Sequence, residues 1–536
     1  MRKAMNAEKI EKKRCHRIGA ALLFCAISML LGTTLQAQTA AVLGSQQQAF
    51  ERQAVTLFGK LSPAEQRAIR GATTGDVVWC GEKSDEDDPS NDPLSAEHWS
   101  PARNIRAGLV EWMITDPAPA TYVHPAGVRL GGAKVTGRLD LENRSLRCAL
   151  MMVRCWIPDG IDLYGAQAPS LNLRGSRMDF IDGRGMTVRG DVLLRGGVKT
   201  TVAQFTRAQI QGDLIFGGLF DRGVTAQTVE VKGDLLFEED FVTHGNVDLT
   251  SARIGGNLGF YNASFAGHDE NGVQAWRASV GGAFYWIGIK LARNTMLNLS
   301  DAKVAILQDD ATSWPAAGNL ILDGFEYGQI EGPSDVQSRL EWLGRQPHVY
   351  WPQPFLELAK TMRAAGQESD ATDVLIARED ELRHLGGLSQ AQKIWKFILK
   401  ITIGYGYRPL LSLIWIVPFL IVGALLFGWG YRAGVVTPTD PEVHAEFVKS
   451  GKLPAAYQPF HPLVYSMDTF FPLVELHQEQ FWLPCPNKGQ SVRMFPFGWR
   501  FNLGSFLRMY LWIQILAGWI ISTLLAAGLS GLIRTD

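Results

Sequence analysis

Cysteine is scarce, at six residues in 536. No two cysteines stand in a CxxC or other metal-ligand spacing, so the sequence offers no structural metal site and calls for no cofactor. Cys15 and Cys25 lie in the N-terminal segment, and Cys80, Cys148, Cys155 and Cys485 lie beyond it. Cys148 and Cys155 leave two readings open: a disulfide in an oxidising compartment, or two buried thiols. An excess of one charge is also missing. The formal net charge is −1, so no global field draws the chain to nucleic acid.

What the chain has in quantity is glycine, at 55 residues, and a short phrase that repeats. The phrase is an aliphatic residue, a spacer, Gly, a small or polar residue, then apolar residues at every second position. It reads Val135-Thr-Gly-Arg-Leu-Asp-Leu141, Val188-Arg-Gly-Asp-Val-Leu-Leu194 and Ile210-Gln-Gly-Asp-Leu-Ile-Phe216. It returns as Val231-Lys-Gly-Asp-Leu-Leu-Phe237, Ile254-Gly-Gly-Asn-Leu-Gly-Phe260 and Val280-Gly-Gly-Ala-Phe-Tyr-Trp286. From Gly190 the glycines stand 22, 21, 23 and 26 residues apart. Apolar alternation at period two is strand-like, and a Gly at each corner allows close backbone approach. A Gly-punctuated strand repeat of this length predicts a parallel β-helix from about Gly127 to Gly332. One internal column should be Leu139, Val192, Leu214, Leu235, Leu258 and Phe284. The next should be Leu141, Leu194, Phe216, Phe237, Phe260 and Trp286.

The residue after the glycine forms a polar ladder of Asp191, Asp213, Asp234 and Asn257. Stacked carboxylates repel, so solvated Asx side chains bonding turn backbone are favoured over a cation site. A second acidic group, Glu238, Glu239, Asp240, His244 and Asp248, raises glycoside hydrolysis, which needs two carboxylates across a groove. Adjacent acids in a surface turn are ordinarily only solvated. His268-Asp269-Glu270 invites the same reading. The acidic loop Ser84–Pro93 lacks the ligand spacing and glycine of an EF-hand and reads as solvated.

The remainder of the chain divides by composition. Residues 1–37 carry seven Lys/Arg before an apolar run and read as a signal peptide, or alternatively a signal anchor. Residues 38–120 form a helical N-terminal cap with the acidic loop, 121–332 the β-helix, and 333–388 an αα-hairpin cap broken at Ala365-Gly366. Residues 389–408 are amphipathic, with Trp395 beside Lys393, Lys396 and Lys400, as in an interfacial helix. Residues 409–430 and 509–533 are apolar enough to be transmembrane helices. Gln514 and Ser522 in the second are expected to bond to the first. The aromatic segment 431–508 between them should lie in the interface or fold back between the spans. The fold class expected is therefore mainly β: a right-handed parallel β-helix with flanking helices, then a helical hairpin and two spans.

Two stretches suggest a channel. Thr402-Ile-Gly-Tyr-Gly406 has the letters of a potassium filter, but a Lys-bearing amphipathic helix precedes it, so it reads as a bend into the first span. Tyr465, Ser466, Asp468 and Thr469 sit between the spans like the start of a pore helix, with no filter after them.

Over residues 127–330 the repeats resemble pentapeptide-repeat and related quadrilateral β-helix proteins of bacteria, as at Gly212-Asp213-Leu214 and Gly233-Asp234-Leu235. The whole order resembles bacterial membrane proteins with such a solenoid followed by two spans. The marks are Asn104-Ile-Arg-Ala107, Gly137-Arg-Leu-Asp-Leu141 and Gly404-Tyr-Gly-Tyr-Arg-Pro409. The resemblance implies architecture rather than mechanism. Lys/Arg flanking the spans is nearly balanced, so the signal-like N-terminus orients the chain, with the solenoid periplasmic and the spans in the bacterial inner membrane. The expected role is a non-enzymatic, membrane-anchored scaffold or binding protein of the envelope. Its expected partners are the bilayer, an envelope protein or polysaccharide, or further copies of itself, and not nucleic acid. A pore component and a polysaccharide-acting enzyme are the alternatives.

Overall fold

The computed structural model describes residues 44–531 except 239, 268–271, 473, 490 and 495–498. The signal-like segment, Glu239 and His268-Asp269-Glu270 therefore lie outside the described residues, as do parts of the aromatic inter-span segment. Two compact units divide the chain, Met1–Thr361 and Met362–Asp536.

The first unit is a parallel β-solenoid of about nine turns, counted by the nine strands of its smaller sheet. One turn contains four strand segments, for example Thr187–Val188, Val192–Leu194, Val198–Thr200 and Val202–Gln204, and each pairs in parallel with the next turn. Parallel stacking satisfies the backbone between turns and leaves alternate side chains pointing inward. Val192, Leu214, Leu235, Leu258 and Phe284 are in register, as are Leu194, Phe216, Phe237, Phe260 and Trp286. The second column is an aromatic stack: the rings of Phe237 and Phe260 lie parallel, 4.3 Å apart between centroids.

The first copy of the phrase breaks both expected columns. Leu139 pairs with Ile161 in the other sheet, at the foot of a buried line through Ile181, Ala203, Val224 and Val247. Leu141 follows it, buried but outside the aromatic column. Gly137 turns a different corner from Gly190, with φ +87°. All four sides of a turn share the pattern aliphatic, corner, aliphatic, so one copy alone does not say which corner it occupies. The upstream members of the first column are Val128, Leu150 and Leu171.

Each turn closes through a left-handed residue next to the smaller sheet. Most are not glycine: Asn143, Arg207, Thr228, Ser251, Arg277 and Asp301 all have φ between 52° and 61°. Such backbone is strained by roughly 1 kcal/mol or more per residue. The side chain three residues upstream offsets part of this where it is Asp or Asn: Asp248 accepts from Thr250 N at 3.0 Å and Asn298 from Ser300 N at 3.0 Å.

Helices cover both ends, as an exposed end turn requires. At the start lie α1 (44–58), α2 (Pro63–Thr74) and α3 (Ala107–Thr115). Ser62 and Glu65 form a capping box on α2. Arg106 clamps this end, with Nε and Nη2 donating to Glu65 at 2.6 and 2.7 Å and Nη1 to the Phe58 carbonyl at 2.6 Å. Burial pushes the Glu65 carboxyl up, but Arg106 and the Ser62 and Arg106 amides outweigh it and hold it below its usual range. Its contribution is thus present above the ordinary carboxylate pKa and lost as pH falls through the lowered one. At the far end α4 (Val336–Leu343) carries Arg339, wholly buried, which donates to Asp309 at 2.7 and 3.0 Å. α5 (Gln353–Ala364) follows, and its Gln353 and Thr361 bond to Gly324, Phe325 and Tyr327 in the last turn.

The second unit begins with α6 (Glu368–Leu385), α7 (Gln390–Ile403) and α8 (Leu413–Arg432). α9 (Pro441–Ser450), α10 (Pro462–Phe470), α11 (Gln478–Phe481) and α12 (Leu503–Leu529) follow. Two stretches are long and apolar enough to cross a membrane, Pro409–Arg432 at 24 residues and Leu503–Leu529 at 27. The second starts before the charge-free run at 509, because the periodicity of Leu503 and Leu507, both buried, carries the helix through Arg508.

Candidate functional sites

The polar ladder is a hydrogen-bonded spine. Each side-chain Oδ1 accepts the backbone N–H of the equivalent residue one turn on. Asp213 N donates to Asp191 at 3.0 Å, Asp234 N to Asp213 at 2.8 Å, Asn257 N to Asp234 at 2.7 Å and Ala283 N to Asn257 at 2.9 Å. A Cβ on Gly212, Gly233, Gly256 or Gly282 would fall inside contact distance of that same oxygen. The Gly-Asp pair is therefore one device: the glycine makes room for the rung that the Asp below supplies. Asn257, with an amide in place of a carboxylate, does the same, so the rung needs an acceptor and not a charge.

The acidic group around Asp240 divides. Glu238 pairs with Arg195 at 2.9 Å and Asp240 accepts from Gly197 N at 2.6 Å. His244 faces Asp221 at 3.0 Å, and Asp248 takes Gln227 at 2.6 Å in the smaller sheet. Glu238 and Asp240 line one open pocket with Gly196, Leu236 and Tyr261, whereas His244 and Asp248 have their partners elsewhere. Asp140, Glu142 and Asp162 bring their oxygens within 4.8 Å of each other. Arg138 already pairs with Asp162, and Asp140 accepts from Glu142 N at 3.1 Å.

The acidic loop is strapped to the solenoid. Asn91, fully buried, donates to the carbonyls of Lys83 and Asp85 at 3.0 and 2.8 Å. Outward, Glu86 reaches Arg174 at 3.0 Å, Asp87 reaches Arg154 at 3.7 Å and Glu97 reaches Arg177 at 3.4 Å. Bonds from Ser90 and Lys83 hold the Asp88 carboxyl down at about 2. Cys148 and Cys155 are free thiols, and burial raises both.

In the second unit α6 is bound to α7 and to the turn after it. Lys396 pairs with Glu379, Lys400 with Asp380 at 2.6 Å, and Arg408 with Asp373 at 2.6 Å. Tyr405 donates to Asp380 at 2.8 Å and Arg378 to the Tyr407 hydroxyl at 3.2 Å. Burial, then the Asp380 bond, pushes the Tyr405 phenol well up. The filter-like letters are a bend: Gly404 caps α7 in the left-handed region, and Tyr405 follows at φ 57°. Lys396 and Lys400 of α7 thus point to α6, while Ile394, Trp395, Phe397 and Ile401 remain exposed.

α10 packs against α8 and α12, and Tyr465, Ser466, Asp468 and Thr469 are all buried there. Gln514, wholly buried on α12, donates to Ser466 O at 2.7 Å, Ser466 Oγ at 2.9 Å and Thr469 Oγ1 at 3.2 Å. Ser466 in turn donates to Leu420 O of α8 at 3.0 Å. The hydrogen bonds of Gln514 thus go to α10 while its side chain packs on Gly423 of the first span, and Gln514 Oε1 and Ser522 Oγ have no hydrogen-bond partner among the described residues. Gly423 and Gly518 are needed for this approach, since a Cβ on either would strike Gln514 and Ser466, or the Phe470 carbonyl. Asp468 accepts from Leu476 N at 2.6 Å and Glu479 N at 2.9 Å, closing the segment after α10. Burial, with Asp468 and Glu475 nearby, raises the Glu479 carboxyl. The sequence singles out Gln514 and the Tyr465–Thr469 stretch separately but not their pairing, because the partners lie 45 and 48 residues apart.

These features define a class: a β-solenoid protein with a helical unit containing two apolar helices of membrane-crossing length. No protein-family model, curated protein or solved structure matches the chain.

Proposed function

We propose that the chain is a membrane-anchored, non-enzymatic β-solenoid scaffold that presents the outer face of its turns to an envelope partner. The observation that carries the anchoring is the exposed apolar surface of the second unit. On α8, Ile414, Val417, Ile421 and Leu425 are 50–69% exposed, and on α12 Trp512, Leu516 and Trp519 are 56–64% exposed. A surface of this extent has no stable place in water, and Trp415 and Trp429 suit helix ends at a headgroup boundary. α7, with its exposed apolar edge, fits the interface beside it. Glu238 is held by Arg195 and Asp240 by the Gly197 amide, and this engagement supports a binding role over hydrolysis. The signal-like N-terminus and the resemblance to bacterial proteins support an inner-membrane location with the solenoid periplasmic.

Alkaline carbonate extraction of membranes tests the anchoring: the full chain should stay in the pellet and leave it only with detergent. Release by carbonate alone overturns the reading. A periplasm-only reporter fused after Gly332 should be active; an inactive reporter reverses the orientation.

A second reading, a pore component, is favoured by α10 lying between α8 and α12 with a buried polar set. It predicts conductance of the purified protein in planar bilayers. Silence across voltages and ions removes it.

A further inference from the structure

One part of the second unit does not fit a lipid surface. α10 runs down between the two long helices rather than across their ends. Its first residue, Pro462, lies against Gly428 of α8. Its last, Phe470, sets its ring 5.9 Å from that of Phe419 and its carbonyl against Gly518 of α12. The large exposed apolar residues of α8 end at Trp429, and those of α12 begin at Trp512. Phe419 is ten residues inside the first and Gly518 six inside the second, about 15 and 9 Å along the helix axes. α10 therefore reaches toward the middle of a hydrocarbon core roughly 30 Å thick.

The chain then turns back along α10 carrying acids. Asp468 stands one turn or less from the Ser466 and Thr469 contacts to Gln514, and it accepts from the Leu476 and Glu479 amides. The returning segment thus lies at that depth, with Glu475, His477 and Glu479 exposed. Among the described residues no cation pairs with Asp468, Glu475 or Glu479. Beside them the Tyr465 hydroxyl is wholly buried and has no hydrogen-bond partner among the described residues. The charges that act on it are Glu479 and Asp468, opposed by Arg508.

Exposed carboxylates inside a bilayer are costly against lipid and belong beside water or a partner charge. A second copy related by a two-fold axis would bring the same acids together. Water avoids both penalties and supplies the partner that Tyr465 lacks. Among the described residues only Asp140, Glu142 and Asp162 bring three such ligand atoms within 4.8 Å. The acids beside α10 therefore do not form a chelate, and a cation drawn to them keeps its water. The geometry points to a water-filled vestibule beside α10, inside the bilayer, in which Asp468, Glu475 and Glu479 gather hydrated cations. The proposal rests on the membrane-anchored reading. It needs no through-path, so it stands apart from the pore reading.

The test places a cysteine at Val474, 47% exposed in the returning segment, or at Leu516 on the outward face of α12. Each variant is the full chain in phospholipid nanodiscs, where both membrane faces meet water. A cationic and an anionic methanethiosulfonate are applied, and modification is read at each cysteine by peptide mass. Val474→Cys should react with the cationic reagent roughly tenfold faster than with the anionic one, after correction for their rates with a free thiol. Glu475→Gln together with Glu479→Gln should remove most of that preference while Val474→Cys still reacts. Leu516→Cys should react with neither. Val474→Cys that reacts with neither reagent, or with both alike, overturns the vestibule, as does a preference that the two Gln replacements leave unmoved. Rapid modification of Leu516→Cys would instead place the outward face in water and overturn the anchoring, so the two failures are told apart.

Discussion

The two units solve opposite problems with the same few rules. The solenoid puts aliphatic and aromatic side chains inside each turn and leaves polar ones outward, tied into rungs such as Asp213 to Asp234. The helical unit puts Gln514, Ser466 and Thr469 inside and leaves Leu425, Leu516 and Trp519 outward. In the solenoid unit buried carboxylates are paired with arginine, Asp309 with Arg339, Asp162 with Arg138 and Glu65 with Arg106. Between α10 and α12 the buried groups are neutral amides and hydroxyls. The proposed anchoring accounts for the difference: water demands a polar exterior, whereas hydrocarbon favours polar groups that face one another within.

Asp309→Ala should give the largest effect. It strands a wholly buried guanidinium, and removing one partner of such a pair destabilises by about 3–5 kcal/mol. Urea or thermal unfolding followed by a solenoid signal should show it. An effect under about 1 kcal/mol would mean the far cap does not depend on this pair. Next comes Gly233→Ala, whose Cβ would crowd the Asp213 oxygen, at about 1–3 kcal/mol. Adding Asp213→Ala should give less than the sum of the two single losses, since both act on one rung. Full additivity would separate the glycine from the ladder. Gln514→Leu should lower the stability of the helical unit in detergent by roughly 1 kcal/mol, read by resistance to denaturing detergent. No change would remove the polar interior from the comparison. Asp213→Asn should be smallest, within about 0.5 kcal/mol, because Asn257 already serves as a neutral rung. A large loss would show that charge matters there.

How much of this was legible in the sequence depends on where the partners lie. The turns from Gly190 to Trp286 could be read because corner glycine and rung Asp are adjacent. The turns built on Leu150-Met-Met152 and Leu171-Asn-Leu173 could not, since their corners carry no Gly-Asp pair. Leu139 was placed in the wrong column because the sides of a turn are alike locally. The marks Asn104-Ile-Arg-Ala107 and Gly404-Tyr-Gly-Tyr-Arg-Pro409 were visible, but not their use: Arg106 clamps Glu65, and Tyr405, Tyr407 and Arg408 clamp α6. The outer column that starts at Lys134 was within reach. Lys134, Trp156, Arg177 and Lys199 stand 22, 21 and 22 residues apart, which is the period of the solenoid itself.

The central claim is that the helical unit is built inside out for a lipid solvent. A nitroxide placed at Leu516, 63% exposed on α12, in protein reconstituted into phospholipid vesicles, tests it most directly. The account predicts relaxation by oxygen, which concentrates in hydrocarbon, and protection from a water-soluble nickel chelate. Relaxation by the chelate in preference to oxygen would place that face in water and contradict the claim.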